Sequence, residues 1–296
     1  MDKKALLIIN PRAGKMSFRN SFYSVVKTLS DADYAIEVYI TKGKGDAERL
    51  AFERGGGDEL IIACGGDGTL NETLSGLSRA KPGAKVGYIP CGSTNDFASS
   101  IGIPGKPVFA VKQIVEDSFV SLDLGKFNDR YFTYTASFGA FTAASYDTPQ
   151  NLKNTLGHFA YILSAAKQLS GTRPVKVKVT ADDYTEEGEF IYGGVSNTIS
   201  IGGVYTLAEE DVVMNDGTFE LIMMRRPSSP AGYVNTLLNI AARKYDDPNL
   251  LFRHVKHAVF ECEEEIPYTL DGEFGGNHRR AEIRCMNNAY RINGKP

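Results

Sequence analysis

The chain is short of several things, and each scarcity closes off a class of protein. It holds only four cysteines, Cys64, Cys91, Cys262 and Cys285, widely spaced, with no CxxC pair and no histidine cluster beside them. That removes zinc-ribbon and thioredoxin readings and fits a reducing cytosol. Neither sign of charge dominates: 33 lysines and arginines against 36 aspartates and glutamates give −3 at pH 7. No global positive field is available for nucleic acid or an anionic bilayer, so no nucleic-acid partner is expected. Short basic pairs, Arg225-Arg226, Arg243-Lys244 and Arg279-Arg280, read first as solvated faces, with local phosphate contact as the alternative. No apolar run approaches the ~20 residues that cross a bilayer. The apolar start, Ala5 to Ile9, is too short for a signal peptide, so a cytoplasmic location is expected. Internal repeats and low-complexity tracts are also missing.

What remains is globular. The hydrophobic share of 42% and charged share of 23% lie near soluble averages, and 296 residues suggest about two domains. From Lys4 to about Asp123, short apolar runs alternate with amphipathic stretches. Strands are expected at Ala5–Ile9, Ile36–Ile40, Leu60–Cys64 and Val86–Ile89. Helices are marked by Phe18, Phe22, Val25, Val26 and Leu29, by Ala47, Leu50 and Ala51, by Leu70, Leu74 and Leu77, and around Val108–Val115. After Asp123-Leu124-Gly125 the rhythm changes to strands at Tyr131–Ser137, Val175–Thr180, Glu189–Val195, Phe219–Met224 and Ala258–Cys262, with amphipathic segments at Leu156–Leu169 and Tyr233–Arg243. The expected fold is an α/β N-terminal domain over residues 1–123, with segment 287–296 a candidate to complete it, and a mostly antiparallel β-rich C-terminal domain over 124–286. The active site is expected in the cleft between them.

The strongest local signal is Leu60-Ile61-Ile62-Ala63-Cys64 running into Gly65-Gly66-Asp67-Gly68-Thr69 and then Leu70-Asn71-Glu72. A buried strand turns through glycines into a helix. Glycines let backbone N–H groups approach an anion, and a helix N-terminus adds about half a positive charge. Phosphate is the natural guest, with a capping box from Thr69 to Glu72 as the plainer alternative. Asp67 speaks against the plainer one, because a carboxylate beside phosphate is repelled unless a cation lies between, which suggests Mg²⁺ at a nucleotide.

A second segment, Pro90-Cys91-Gly92-Ser93-Thr94-Asn95-Asp96-Phe97, again leaves a strand and opens a short helix, although Ser, Thr and Asn are also ordinary N-caps. The first strand ends in Asn10-Pro11-Arg12-Ala13-Gly14-Lys15. This resembles a P-loop only superficially, since the upstream glycine and the Ser/Thr after Lys15 are missing. Asn10 and Lys15 remain candidates for nucleotide contact.

Near the C-terminus, Tyr268-Thr269-Leu270-Asp271-Gly272-Glu273 leads to Phe274-Gly275-Gly276, where a strand is expected to end. If residues 271–273 are extended, Asp271 and Glu273 share a face and repel, raising one pKa toward general-base work. A solvated hairpin tip is the alternative. Asn215-Asp216-Gly217-Thr218 reads by default as a β-turn.

Taken in order, these segments, with Thr41 to Gly45-Asp46-Ala47 and Asp216-Gly217, resemble the bacterial diacylglycerol kinase-like lipid kinases, relatives of the sphingosine and ceramide kinases. The resemblance covers nearly the whole chain. It implies ATP bound with Mg²⁺ and transfer of the γ-phosphoryl group to a lipid hydroxyl, diacylglycerol first among acceptors. Carried over by position, ATP would be held by Asn10, Thr41, Gly65, Gly66, Asp67, Gly68, Thr69, Leu70, Asn71, Glu72, Gly92, Ser93, Thr94 and Asn95. Asp67, Asp96 and Asp123 would organise the catalytic Mg²⁺, partly through water. Glu273 would accept the proton, supported by Asp271. A structural Mg²⁺ would sit on Asp216 with the carbonyls of Val213 and Thr218. Two departures stand out: Ser99-Ser100 replaces a basic residue usual after Asn-Asp-Phe-Ala, and Ala208-Glu209-Glu210-Asp211 makes an unusually acidic approach to Asp216.

An NAD kinase, which shares the Gly-Gly-Asp-Gly-Thr turn, is the runner-up, and a non-catalytic nucleotide or lipid regulator is the alternative of another class. The lipid implies transient, peripheral contact with a membrane surface, and a homodimer is a candidate assembly. Phe138–Tyr146 and Leu156–Leu169 read either as the entry to an acyl-chain pocket or as core.

Overall fold

The structure is a computed structural model that describes every residue except 1–2, 15–16, 93–94, 141–156, 198–199, 202–204, 207–212, 243 and 296. The chain divides into two compact units, Met1–Leu124 with Asn287–Pro296, and Gly125–Met286.

The first unit contains β1 (Lys3–Ile9), α1 (Ser17–Asp31), β2 (Tyr34–Ile40), α2 (Asp46–Arg54), β3 (Leu60–Gly65), α3 (Asp67–Ala80), β4 (Ala84–Pro90), α4 (Asp96–Ser100), α5 (Pro107–Val115) and the start of β5 (Phe119–Phe127). β1 pairs in parallel with β2 and β3, and β3 with β4. Strands sealed on both faces read as continuous apolar runs, which is why Ala5–Ile9 and Leu60–Cys64 were legible. Helices α2 and α3 pack together, as do α1 and α5. The stripe Leu70, Leu74 and Leu77 is buried as its spacing predicts, whereas Phe22 on α1 is 38% exposed. The chain's last strand, β15 (Glu273–Asn293), returns to lay Tyr290–Ile292 parallel to Ala84–Val86 of β4. Asn293, fully buried, fixes that strand: its Oδ1 accepts from Tyr88 N at 2.6 Å and its Nδ2 donates to Tyr88 O at 3.2 Å.

The second unit comprises β6 (Arg130–Phe132), β7 (Thr135–Gly139), α6 (Gly157–Ser170), β8 (Val175–Ala181), β9 (Tyr184–Ser196), the short pair β10 (Ser200–Ile201) and β11 (Tyr205–Thr206), β12 (Phe219–Arg225), α7 (Pro230–Ala241), β13 (Leu250–Val255), β14 (His257–Leu270) and most of β15. β12 pairs antiparallel with β13 and β9, β14 with β15, β7 and β8, and β9 with β7 and β8. β7 and β8 share one lane between β9 and β14: Gly139 pairs Tyr192, and the lane resumes with Val175 opposite Phe190. Strand β12 is buried on both faces. Phe219, Leu221 and Met223 enter a core with Phe138, Phe260 and Tyr268, while Ile222 and Met224 meet Leu169 of α6 and Leu237 of α7. Phe138, Ala165, Ala166 and Leu169 are therefore core, and residues 141–156 lie outside the described ones.

One expected strand is two. Tyr131–Ser137 breaks at Thr133-Tyr134, because the backbone N–H groups of Thr133, Tyr134 and Thr135 turn to the carboxylate of Asp271 instead of a neighbouring strand. A strand expected at Ala258–Cys262 runs on to Leu270.

Candidate active site

In the first unit the strand order β4-β3-β1-β2 places a reversal between β1 and β3, since β1 connects outward to β2 and β3 connects the other way to β4. Open α/β sheets bind ligands beyond the carboxyl ends of strands at such a reversal. The loops leaving β1, β3 and β4 converge there. Asn10 Nδ2 donates to Thr69 Oγ1 at 3.0 Å, and Asn10 N donates to Cys64 O at 2.9 Å. Gly14, at φ 62°, packs so closely that a Cβ would stand 2.1 Å from Cys91 O. A Cβ on Gly92 would stand 2.8 Å from Gly66 Cα. Two glycine backbones thus lie against each other.

Other residues named from the sequence join this cluster. Thr41 N and Oγ1 both donate to Ile9 O, at 2.9 and 3.3 Å. Glu72 Oε1 accepts from Gly45 N at 2.9 Å, tying α3 to the loop that follows β2. The capping-box alternative is overturned: α3 begins at Asp67, so Thr69 lies inside the helix, and Gly66 occupies the N-cap with no side-chain hydrogen bond. Thr69 serves Asn10 and Glu72 serves Gly45. Glycine at the N-cap thus gives the positive end of α3 no side-chain cap of its own. Leu70 is fully buried, so its side chain belongs to the core. Asn95, at φ 51°, closes its own loop, with Oδ1 accepting from Gly92 N and Nδ2 donating to Gly92 O. Ser93, Thr94 and Lys15, and the side chain of Asp96, lie outside the described residues. Ser99 and Ser100 fold their hydroxyls back onto Asn95 O and Phe97 O.

The acidic residues separate into different roles. Asp67 is half-buried at the first position of α3, and its Oδ1 accepts from Tyr88 Oη at 3.3 Å. Tyr88 had no sequence signal beyond an apolar strand. Asp123 is fully buried, and its Oδ1 accepts from Asn288 N at 2.7 Å. Among the described residues no three His, Cys, Asp or Glu side chains gather as a metal cluster. Mg²⁺ at nucleotides is held by one or two carboxylates together with the phosphates themselves. Asp67 at an uncapped helix end suits that mode. At the expected structural site Asp216 is exposed, its Oδ1 accepts from Thr218 N and Oγ1, both at 2.8 Å, and the Val213 carbonyl accepts from Asp216 N at 3.4 Å. That turn closes on itself.

In the second unit the expected extended pair is corrected. Asp271 and Gly272 have φ 49° and 81°, and Leu270 pairs Glu273 directly, so Asp-Gly is the two-residue turn of a hairpin. Asp271 and Glu273 therefore do not share a strand face, and the strand does not end at Gly275-Gly276 but passes through it with a register shift. Asp271 instead anchors the β6–β7 break. Its Oδ2 accepts from Thr133 N and Oγ1 at 2.7 and 2.8 Å, and its Oδ1 from Tyr134 N and Thr135 N at 2.9 and 3.1 Å. Tyr134 Oη donates to Asp271 O at 2.9 Å. Burial pushes the Asp271 carboxyl above its ordinary value, and these donors pull it back. Glu273 opens β15, exposed, with Phe274 beside it 61% exposed and Arg130 Nη1 donating to Phe274 O at 3.2 Å. Thr133 to Thr135 were missed from sequence because 136 to 138 positions separate them from their partner.

Comparison with known proteins joins these observations. Residues 4–127 match the diacylglycerol kinase catalytic domain. The chain is 32% identical to a diacylglycerol kinase of Bacillus subtilis (strain 168), covering 93% of this chain and 91% of that one. It is 33% identical to one of Staphylococcus haemolyticus, over 93% and 84%. A crystal structure from Bacillus anthracis str. Sterne, proposed to be a diacylglycerol kinase, superposes with a TM-score of 0.81 at 27% identity, covering 99% of this chain and 96% of that one. Fold and relatives together define a lipid kinase. Within that class, the chain belongs to the bacterial diacylglycerol kinase family, which sets aside the NAD kinase and non-catalytic readings.

Proposed function

We propose that this enzyme transfers the γ-phosphoryl group of ATP to the hydroxyl of diacylglycerol at a membrane surface, forming phosphatidic acid. The observation that carries the reading is the uncapped N-terminus of α3, set among three converging loops with Asp67 at its first turn. Backbone N–H groups there meet phosphate oxygens, and the helix end favours their charge. Asn10, Thr41 and Gly92 shape the same loops, and Glu72 holds the loop after β2 in place. A carboxylate at an anion site is repulsive by itself, so Asp67, with Asp96, holds a divalent cation, Mg²⁺ by preference. When bound, such a cation would offset the charge that builds on the triphosphate.

Glu273 accepts the proton of the lipid hydroxyl as its oxygen bonds to phosphorus and the bond to the leaving ADP oxygen breaks. Asp271 orients that hairpin through Thr133, Tyr134 and Thr135 and takes no proton itself. The test is incubation with labelled ATP and vesicles carrying diacylglycerol, a sphingoid base or phosphatidylglycerol, with and without chelator. Labelled phosphatidic acid, lost with chelator and restored by Mg²⁺, is expected. Label confined to another acceptor would overturn the substrate, and turnover undiminished by chelator would overturn the cation.

A further inference from the structure

The hairpin that carries Glu273 holds one residue more on β15 than on β14. Ile266, Pro267 and Tyr268 pair His278, Asn277 and Gly276, whereas Thr269 and Leu270 pair Phe274 and Glu273, so Gly275 falls outside the ladder. Opposed residues share a face, and faces alternate along a strand. Glu273 therefore lies on the face of Leu270, Tyr268 and His278, and Phe274 on the other. A regular ladder continued from Tyr268 and Gly276 would instead pair Leu270 with Phe274 and leave Asp271, Gly272 and Glu273 as a three-residue turn, which is also a common hairpin loop. In that register Phe274, now 61% exposed, would stand beside buried Leu270. The apolar pattern by itself favours the regular ladder, so the observed bulge needs a group that holds it.

His278 lies over that bulge. Its Nε2 stands 3.2 Å from Gly275 O, and a Cβ on Gly276, at φ 105°, would meet the same nitrogen at 2.7 Å. Phe127 and Tyr268 flank the ring in edge-to-face contacts, with centroids at 5.2 and 6.0 Å. On the far side, Nδ1 faces Asn128 Nδ2 at 3.5 Å. These partners fix the tautomer. Asn128 Oδ1 accepts from Glu282 N at 2.9 Å, so the amide nitrogen is the end turned to the ring and Nδ1 accepts from it. The ring proton then sits on Nε2, which donates to the Gly275 carbonyl. We propose that His278 is a positioning residue for Glu273, holding the bulged register through Gly275 O so that Glu273, and not Phe274, stands opposite Leu270. This rests on the reading of Glu273 as proton acceptor. His278 itself takes no proton from the lipid hydroxyl.

Kinetics and cross-strand nuclear Overhauser contacts on the full chain test the role. His278→Leu is expected to lower kcat about 10²-fold, as a misplaced reacting group does, with KM for ATP unchanged and the contacts of Leu270 moved from Glu273 to Phe274. His278→Gln, which keeps a donor within reach of Gly275 O, should restore most of kcat. Deleting Gly275 from the His278→Leu chain should restore it too, because a ladder without the extra residue pairs Leu270 with Glu273 unaided. Should His278→Leu misfold by circular dichroism, His278→Asn, whose amide is too short to reach Gly275 O, takes its place. Full kcat in the Leu or Asn variant, an equal loss in His278→Gln, no recovery on deleting Gly275, or unmoved Leu270 contacts would each overturn the proposal. Glu273→Gln measured alongside separates the two readings. If it alone is impaired, only the positioning role falls; if it keeps full kcat, the proton acceptor falls and this role with it.

Discussion

The two units assemble their functional residues by different means. In the first, the site is made of backbone: glycine turns at strand ends, a helix end without a side-chain cap, and loops so close that Gly14 and Gly92 leave no room for a Cβ. In the second, it is made by side chains that bond across long stretches of sequence, with Asp271 collecting four donors from Thr133 to Thr135. A backbone site tolerates change in the side chains around it and fails when a glycine or its anion balance is lost. A side-chain site fails when the organising residue is lost, even where that residue does no chemistry.

The largest effects should separate these two cases. Replacing Glu273 by Gln removes the proposed proton acceptor and is expected to lower kcat by roughly 10²–10⁴, with Mg-ATP binding by calorimetry unchanged. Asp67→Ala should instead abolish metal-dependent nucleotide binding and turnover together. If Glu273→Gln lost nucleotide binding, or Asp67→Ala kept it, the division of labour between the units would be wrong.

Next in size is Asp271. Removing it strands buried donors, at about 1–3 kcal/mol for each one left unmade, so Asp271→Ala should lower Tm markedly. Asp271→Asn sharpens the point, because its amide N–H₂ must face N–H donors. An anchoring residue predicts that Asn lowers both Tm and kcat, whereas an acid or base predicts lost kcat at unchanged Tm. Thr133→Val, which removes one hydroxyl donor, should fall between Asn and the unaltered protein.

The same contrast explains what was legible in the sequence. Strands and helices of the first unit follow from local periodicity, and the converging loops from glycines adjacent to the strands they end, so the cluster of Asn10, Thr69 and Gly92 could be anticipated. The Asp-Gly turn was also legible, since that dipeptide between strands is a strong hairpin signal. Treating residues 271–273 as extended overlooked that Asp271 and Gly272 both adopt positive φ. Nothing local announces that Thr133 and Tyr134 interrupt a β-rich run, because the cause lies at Asp271. Nor does sequence show that β7 and β8 fill one lane of the sheet although residues 140–174 separate them along the chain.

A smaller effect concerns a side-chain bond between two loops of the backbone site. Asn10 Nδ2 to Thr69 Oγ1 joins the loop after β1 to the first turn of α3. A double-mutant cycle with Asn10→Ala and Thr69→Val should return a coupling of about 0.5–1.5 kcal/mol in stability. Strictly additive losses would mean that the loops hold their positions through glycine packing alone.

The smallest effect is an acid-range one in the second unit. Glu282 is held by Arg284, His257 and Arg280, and its backbone N–H donates to Asn128 Oδ1 at 2.9 Å. The Arg284 hydrogen bond first, then His257 and Arg280, bring its pKa from 4.5 down to about 2. A carboxyl depressed on folding binds its proton more readily in the unfolded chain, so its contribution is complete above pH 4.5 and disappears as pH falls toward about 2. Glu282→Gln should therefore show a Tm that falls less steeply than the unaltered protein's across that window. The difference is expected to be modest, since Arg280 and Arg284 are 56% and 62% exposed and solvent screens such pairs. Parallel Tm curves would show that the cluster merely decorates β15, leaving Asp271 as the side chain on which the second unit's geometry depends.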